Sequence, residues 1–293
     1  MDRRDSLLAA LVALIWGVNF LVIDWGMVGV PPLLFLAFRF VAVALPAVFL
    51  VRRPPVSWRV LTVVGLTMSL GQFSLLYLAL DQGMPPGLAG LVLQAQVVFT
   101  VVLSAAALRE VPSRQQTLGV LLGFSGLMVI AAGRGGSVPL VALLLTLLAA
   151  LSWATGNVVV RAAKVPGGLG LTVWSALVVP VPALALALVV DGRSGVADGL
   201  AAFGWEAALS TAYTAVLASL VGYAIFNSLL ARWPAAAVVP WILLVPVVSM
   251  SAAWVVLGDT PAPGEVAGGV VMLAGLLVAL RRPAAAVVRA PAS

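Results

Sequence analysis

Long apolar runs alternate along the chain with short breaks of charge, proline or glycine. The runs approach or exceed the roughly 20 apolar residues that carry a helix across a bilayer. Treating each break as a turn predicts ten helices: Ser6 to Met27, Pro32 to Val51, Trp58 to Leu80, Pro86 to Leu108, Gln115 to Ala132, Val138 to Val160, Gly170 to Val190, Trp205 to Ala231, Ala235 to Leu257 and Val266 to Leu280. The first run follows Arg3 and Arg4 as a signal sequence would. It is nevertheless too long, contains Trp16, Asn19 and Asp24 and lacks a small-residue cleavage site, so it reads as a retained span.

Charge then orients the helices. An even number of spans puts both termini on one side, and with that side cytoplasmic the inner segments hold Arg3, Arg4, Arg52, Arg53, Arg59, Arg109, Arg114, Arg161, Lys164, Arg232, Arg281, Arg282 and Arg289, which is 13 of the 16 basic residues. The outer loops hold only Arg134 and Arg193, together with Asp24, Asp81, Asp191, Asp198, Glu206, Asp259 and Glu265. A shift by one span would destroy this segregation, so the positive-inside rule supports both the number of spans and the orientation.

Composition narrows the chemistry. Hydrophobic residues make up 63% of the 293 residues and charged ones 9%, leaving no room for a soluble catalytic domain. The chain has no His and no Cys. That excludes thiol nucleophiles, disulfides, His-based triads, haem ligation and ordinary zinc sites, so no enzyme activity, metal or cofactor is expected. Gly123-Phe124-Ser125-Gly126 has the outline of an intramembrane serine protease motif but no base to serve it. The net charge of +6 would suggest nucleic acid in a soluble protein. Here the basic residues lie in breaks between apolar runs, so the expected partner is the lipid bilayer and not nucleic acid.

The two halves resemble each other when the chain is cut near Ser137. Ala13 to Asn19 echoes Ala150 to Asn157, with Trp16 matching Trp153. Leu108 to Pro112, then Gly119 and Gly126, echo Leu257 to Pro261, then Gly268 and Gly275, at a constant offset of 149 that also relates Pro85 to Pro234. Five spans is an odd number, so the second copy must be inverted. The expected architecture is an all-α integral membrane protein: a first five-helix repeat over 1–136, a second, inverted one over 137–283, and a cytoplasmic tail over 284–293. Inverted repeats suit alternating access, with substrate held between the halves near the midplane.

These features, with the Trp-x-x-Asn start, Phe38-Arg39-Phe40 early in the second span and the acid-x-Pro ends of the fourth and ninth spans, resemble the drug/metabolite transporter superfamily of EamA type. The chain is most similar within it to the YddG-type aromatic amino acid exporters. That resemblance implies efflux of amino acids and related metabolites across the bacterial inner membrane, with a small-molecule substrate as partner; a monomer is compatible with it.

Trp16 with Asn19, and Trp153 with Asn157, each share a helix face. Unbonded amides are costly in hydrocarbon, so both Asn side chains should face inward, to line the pathway or to staple helices together. Arg39 is the one basic residue well inside a span. It could dock a substrate carboxylate, or bond carbonyls or Asp24 as a structural group with its guanidinium snorkelling outward. Tyr77, Tyr213, Tyr223, Trp174 and Trp241 lie within spans and could line an apolar cavity or simply pack the core. Trp25, Trp58, Trp205 and Trp233 fall at span ends as interface anchors. Gln72, Gln94, Gln96, Asn227 and Ser251 could add polar contacts, although Gln94 and Gln96 point to nearly opposite faces.

Pro46, and Pro180 with Pro182, occupy corresponding places in the second and seventh spans and serve as hinges or as fixed curvature. Pro240 and Pro246 interrupt the ninth span. Gly119-x-x-x-Gly123 and the Gly-rich tenth span suit close helix packing. Glu110-Val111-Pro112 and Asp259-Thr260-Pro261 read as turn chemistry, with Ser113 able to cap the next helix, in preference to ion binding.

No Glu, His or Lys lies mid-span, so facilitated diffusion or exchange is expected ahead of proton coupling. Export of drugs, purines or other metabolites, a channel, and a non-transporting membrane subunit are the competing functions.

Overall fold

The computed structural model describes residues 1–133, 138–165 and 168–280. Arg134, the cut at Ser137, Arg281, Arg282 and the tail 284–293 with Arg289 lie outside the described residues. The described residues form helices and connecting turns, with no strand among them.

The helices are α1 (Arg3–Gly26), α2 (Pro32–Val48), α3 (Trp58–Asp81), α4 (Pro86–Leu108), α5 (Arg114–Gly133), α6 (Leu140–Ala162), α7 (Leu169–Ala176 and Pro180–Val190), α8 (Gly192–Ala201), α9 (Trp205–Arg232), α10 (Ala235–Ile242 and Val245–Leu257) and α11 (Pro263–Leu280). Eight are long and apolar enough to cross a membrane, or nine with the two parts of α7, bent by 44°, taken as one span. Helix α2 is apolar but only 17 residues long. It ends three residues before the expected Val51, with Pro46 in its final turn. Helix α8, in a stretch expected to be a loop, packs Gly199 against Pro31.

Features recur between the halves at close to the offset seen in the sequence. Helix α3 contains a π-helical stretch at Gly65–Gly71, and α9 one at Tyr213–Val221. Helix α4 breaks at Leu93 and Gln94, and α10 at Leu243 and Leu244. The two ends match as well: Arg109 after α4 has φ 54° and Gly258 after α10 has φ 74°. A left-handed C-cap turns the chain at both places, and only at the second is it the residue best suited to it.

Helices α5 and α11 run together along a glycine seam. A Cβ on Gly126 would lie 2.5 Å from the Gly268 carbonyl, and one on Gly119 would lie 2.6 Å from the Gly275 carbonyl. The backbones therefore approach as closely as small residues allow in a membrane helix pair. At the start of α5, Gln116 N–H donates to Ser113 Oγ and Ser113 N–H to Gln116 Oε1, completing the expected cap as a reciprocal box.

The breaks cluster by charge as alternating helices require. One end of the molecule joins Asp5 to Arg232 and Glu110 to Arg161. The other brings Trp25 against Trp205 and Phe38 against Phe203. These are called the basic end and the acidic end below.

Candidate functional site

Arg39 lies on α2, buried to 3% exposure. Its Nη1 donates to the Tyr77 hydroxyl at 2.6 Å, its Nη2 to Ser219 Oγ at 3.3 Å, and its guanidinium carbon lies 4.0 Å from the centre of the Phe73 ring. The partners expected for it, carbonyls or Asp24, are not the ones it takes. Two hydroxyls and an aromatic face replace them, so the charge is held inside the bundle by α3 and α9 and does not snorkel. Phe73 and Ser219 were not among the expected residues; Phe73, one turn from Tyr77, could have been found by helical spacing.

One turn along α9 lies a second cluster. The Trp16 indole N–H donates to the Ala218 carbonyl at 2.9 Å, and its ring lies 5.0 Å from Tyr223 and 5.4 Å from Phe226. The π-helical stretch explains why that carbonyl is available. Gly222 N–H reaches back five residues to Leu217, so the return to α-helical register steps over one carbonyl and exposes it to a side-chain donor. The other half makes a related contact: Ser152 Oγ, on α6 beside Trp153, donates at 2.8 Å to the Thr67 carbonyl in the π-helical stretch of α3, the carbonyl that also takes the five-residue bond from Gln72 N–H. Each half thus bonds its first helix, α1 or α6, to the π-helical stretch of the other half, in α9 or α3. Gly222 is required here, since a Cβ would lie 2.5 Å from Trp16 Nε1.

Asn157 donates from Nδ2 to Gln96 Oε1 at 3.0 Å and to Thr100 Oγ1 at 3.4 Å, tying α6 to α4. The break at Leu93 and Gln94 resets the helix phase, leaving Gln94 buried and turning Gln96 toward α6. Gln96, Thr100 and Ser104 then line one face of α4 at four-residue spacing, opposite Trp153, Asn157 and Arg161 on α6. This polar seam ends at the basic end in a cavity of about 380 Å³, lined among others by Thr100, Ser104, Glu110, Gln116 and Arg161. Arg161 Nη2 lies 2.8 Å from Glu110 Oε2, so Glu110 is an ion-pair partner as well as a turn residue. Asn19, the counterpart on α1, is 8% exposed and its Oδ1 has no hydrogen-bond partner among the described residues.

A second ion pair closes the same end. Asp5, 2% exposed, accepts from Arg232 Nη1 at 2.8 and 2.9 Å and from the Trp233 indole at 2.6 Å. Trp233 therefore clamps α9 to α1 in addition to marking a span end. Both ion pairs found among the described residues join one half of the chain to the other.

The remaining expected residues stand apart. Trp174 is at the basic end, where its indole donates to the Val51 carbonyl and its ring meets Trp58. Tyr213 donates to the Ile15 carbonyl and borders an apolar groove with Val22, Trp25 and Leu209, near the acidic end. Trp241 packs with Ala9, Leu229 and Val238. Of the prolines, Pro180 and Pro182 begin the second part of α7 at its 44° bend, while Pro46 is at a helix end.

A bundle of long apolar helices whose two halves meet along polar seams is a multi-pass membrane protein of the transporter kind. The chain belongs to the EamA-like transporter family, which matches residues 5–132 and again 140–281. It is 41% identical over 284 residues, 95% of each chain, to a protein of Salmonella typhimurium named "Probable amino-acid metabolite efflux pump", and 38% identical over the same shares to the protein of that name in Escherichia coli K12. A solved crystal structure, 21% identical, shares the fold with a TM-score of 0.62, covering 95% of this chain and 97% of its own.

Proposed function

We propose that this protein is an alternating-access exporter of amino acids, aromatic and other neutral ones among them, and of related metabolites, working by facilitated diffusion or exchange. The observation that carries this is the full-length likeness to proteins named as amino-acid metabolite efflux pumps. In this reading α2 and the bent α7 both cross, giving ten spans; 1–136 and 137–283 are the inverted repeats, and the basic end is cytoplasmic. The matched π-helical stretches, helix breaks and C-caps support two exchangeable halves. On the same reading, the two ion pairs between halves would hold the cytoplasmic side shut.

Substrate would pass between the halves, past Trp16, Asn19 and Tyr223 on one side and Trp153 and Asn157 on the other. Arg39 and Tyr77 brace this path from behind, and Pro180 with Pro182 provides the bend about which α7 rocks. Among the described residues, no acid or base is buried mid-helix that could relay protons in place of a gradient of the substrate itself.

Reconstitution into liposomes tests the proposal, with counterflow measured against a panel of amino acids, purines and lipophilic cations. Saturable counterflow of neutral amino acids without a pH gradient is expected; a channel would show no accumulation driven by trans substrate. A flat response to every amino acid overturns the substrate assignment. A steep dependence on an imposed pH gradient, abolished by Asp24→Asn, overturns the uncoupled mechanism.

A further inference from the structure

We infer that the cavity beside the Glu110 and Arg161 pair is a capture site for zwitterionic amino acids on the basic face, one that loads the carrier before substrate reaches its centre. The inference rests on the amino-acid reading above and assigns to it a second site, far from the midplane aromatics.

Four observations carry it. The cavity, about 380 Å³, falls in the range of roughly 300–1,000 Å³ common for small-molecule sites. Its rim presents one carboxylate and one guanidinium 2.8 Å apart, with side chains 38% and 55% exposed, so both charges are reachable from water. Its wall holds Ser104, 3% exposed, whose Oγ has no hydrogen-bond partner among the described residues. Such a buried hydroxyl is costly unless something outside the protein bonds it. From Ser104 the polar face climbs through Thr100 to Gln96 and Asn157, about 6 Å per four residues, and so leads inward along the contact between halves.

The charge pattern selects the ligand. An α-amino acid carries one carboxylate and one ammonium on neighbouring atoms, and it can replace the existing pair by two: its carboxylate against Arg161, forked and bidentate, and its ammonium against Glu110. Net charge at the site is unchanged by this exchange. A simple anion would leave Glu110 unpaired, and an amine would leave Arg161 so. The pair also joins α6 to the segment after α4, so a bound zwitterion takes over the ion pair that holds the halves together at this end. Loading and unlocking are then one event.

The chain has no cysteine, which makes a single introduced thiol a clean reporter. Ala105 lines the cavity, so Ala105→Cys is labelled with a maleimide in inside-out vesicles, with L-phenylalanine, L-phenylalaninamide or N-acetyl-L-phenylalanine as protectant. Free L-phenylalanine is expected to slow labelling, with both blocked forms at least about tenfold weaker. Glu110→Gln and Arg161→Gln should each weaken protection by about tenfold and raise KM from the basic face with little change in kcat, while Arg59→Gln, an exposed arginine at the same end, should not. Equal protection by the blocked forms, or undiminished protection in both variants, overturns the site. Because the first comparison needs only Ala105→Cys, it stands even if a charge variant fails to fold. Counterflow of amino acids by the Ala105→Cys protein without protection of its thiol overturns the capture site and leaves the export reading intact; protection without counterflow does the reverse.

Discussion

Arg39 poses the sharpest test, because substituting it by methionine separates bracing from substrate docking. The guanidinium is buried among neutral partners, so its removal strands no opposite charge, unlike breaking a buried ion pair. Methionine fills much of the vacated stem volume. Losing the stack on Phe73 forfeits about 2 kcal/mol, roughly offset by no longer desolvating a charge. Ser219 keeps its bond to the Thr214 carbonyl at 2.8 Å. Tyr77 does not fare so well: fully buried, its hydroxyl has only Arg39 as partner among the described residues, and stranding it costs about 1–3 kcal/mol. Arg39→Met should therefore destabilise by about that amount, and Tyr77→Phe by about 1.5–3 kcal/mol through the charge it leaves underbonded. The double variant strands neither group and should fall short of the sum by about 1–3 kcal/mol. Unfolding of the purified protein measures the cycle, and strict additivity would refute the bracing account. Counterflow decides the rest: if Arg39 only braces, the double variant transports; if it docks the carboxylate, the double variant is folded and inactive.

Gly126→Leu should separate α5 from α11, since the new side chain meets the backbone at Gly268 and Met272, and overpacking of this kind costs about 1–3 kcal/mol or more; a melting temperature unchanged from wild type would contradict the seam. Trp16→Phe keeps the ring contacts but leaves the Ala218 carbonyl without its donor, an expected loss of about 1–3 kcal/mol in unfolding experiments, with slower counterflow. Burial, and then the nearby charge of Asp81, push the Asp191 carboxyl above its ordinary value of 3.8. The fold therefore favours the protonated acid: that stability is full below the ordinary pKa and is lost as pH rises through the raised one. Asp191→Asn should raise the melting temperature at pH about 7 and not at pH about 3, and a gain equal at both would count against this cause.

How much of this was legible in the sequence follows from what each feature depends on. Hydropathy and charge mark helices and ends because they are properties of runs, and the runs survive folding with boundaries moved by a few residues. The glycine seam and the Ser113 cap were equally readable, each being set by local residue type. The π-helical stretches were not, because no composition marks Gly65–Gly71 or Tyr213–Val221 as irregular; a side chain from the opposite half bonds a carbonyl in each. Arg39 could be seen as exceptional, yet its partners come from helices 38 and 180 residues away, and nothing near it named Tyr77 or Ser219. Gln96, Thr100 and Ser104 were there to be found at four-residue spacing within Ala95–Leu108; what the break at Leu93 and Gln94 obscured is how that face is turned relative to Pro86–Val92 and so toward α6.

The symmetry of the backbone and the asymmetry of the charges pull in different directions, and their contest has a measurable consequence. If the second half is inserted inverted, as proposed, two halves with matching breaks and π-helical turns would, by geometry alone, open about equally well to either side. Topology forbids the charges from matching, since basic residues collect at one end. The basic end is thus locked by Asp5 with Arg232 and by Glu110 with Arg161, while contacts between halves at the acidic end include aromatic pairs, the packing of Gly199 on Pro31 and the bond from Ser210 to the Val22 carbonyl, with no ion pair among the described residues. Salt acts on only one of these. Raising ionic strength from about 0.01 to 1 M shortens the screening length from about 30 to 3 Å, and half-exposed guanidinium groups at Arg161 and Arg232 are open to that screening. High salt should therefore speed thiol labelling of Leu230→Cys, beside the Asp5 clamp, and leave Phe203→Cys at the acidic end unchanged. Adding Asp5→Asn to the Leu230→Cys protein should give fast labelling at low salt and blunt the salt response. An equal salt response at the two ends would mean that the ion pairs do not set which side of the molecule is shut.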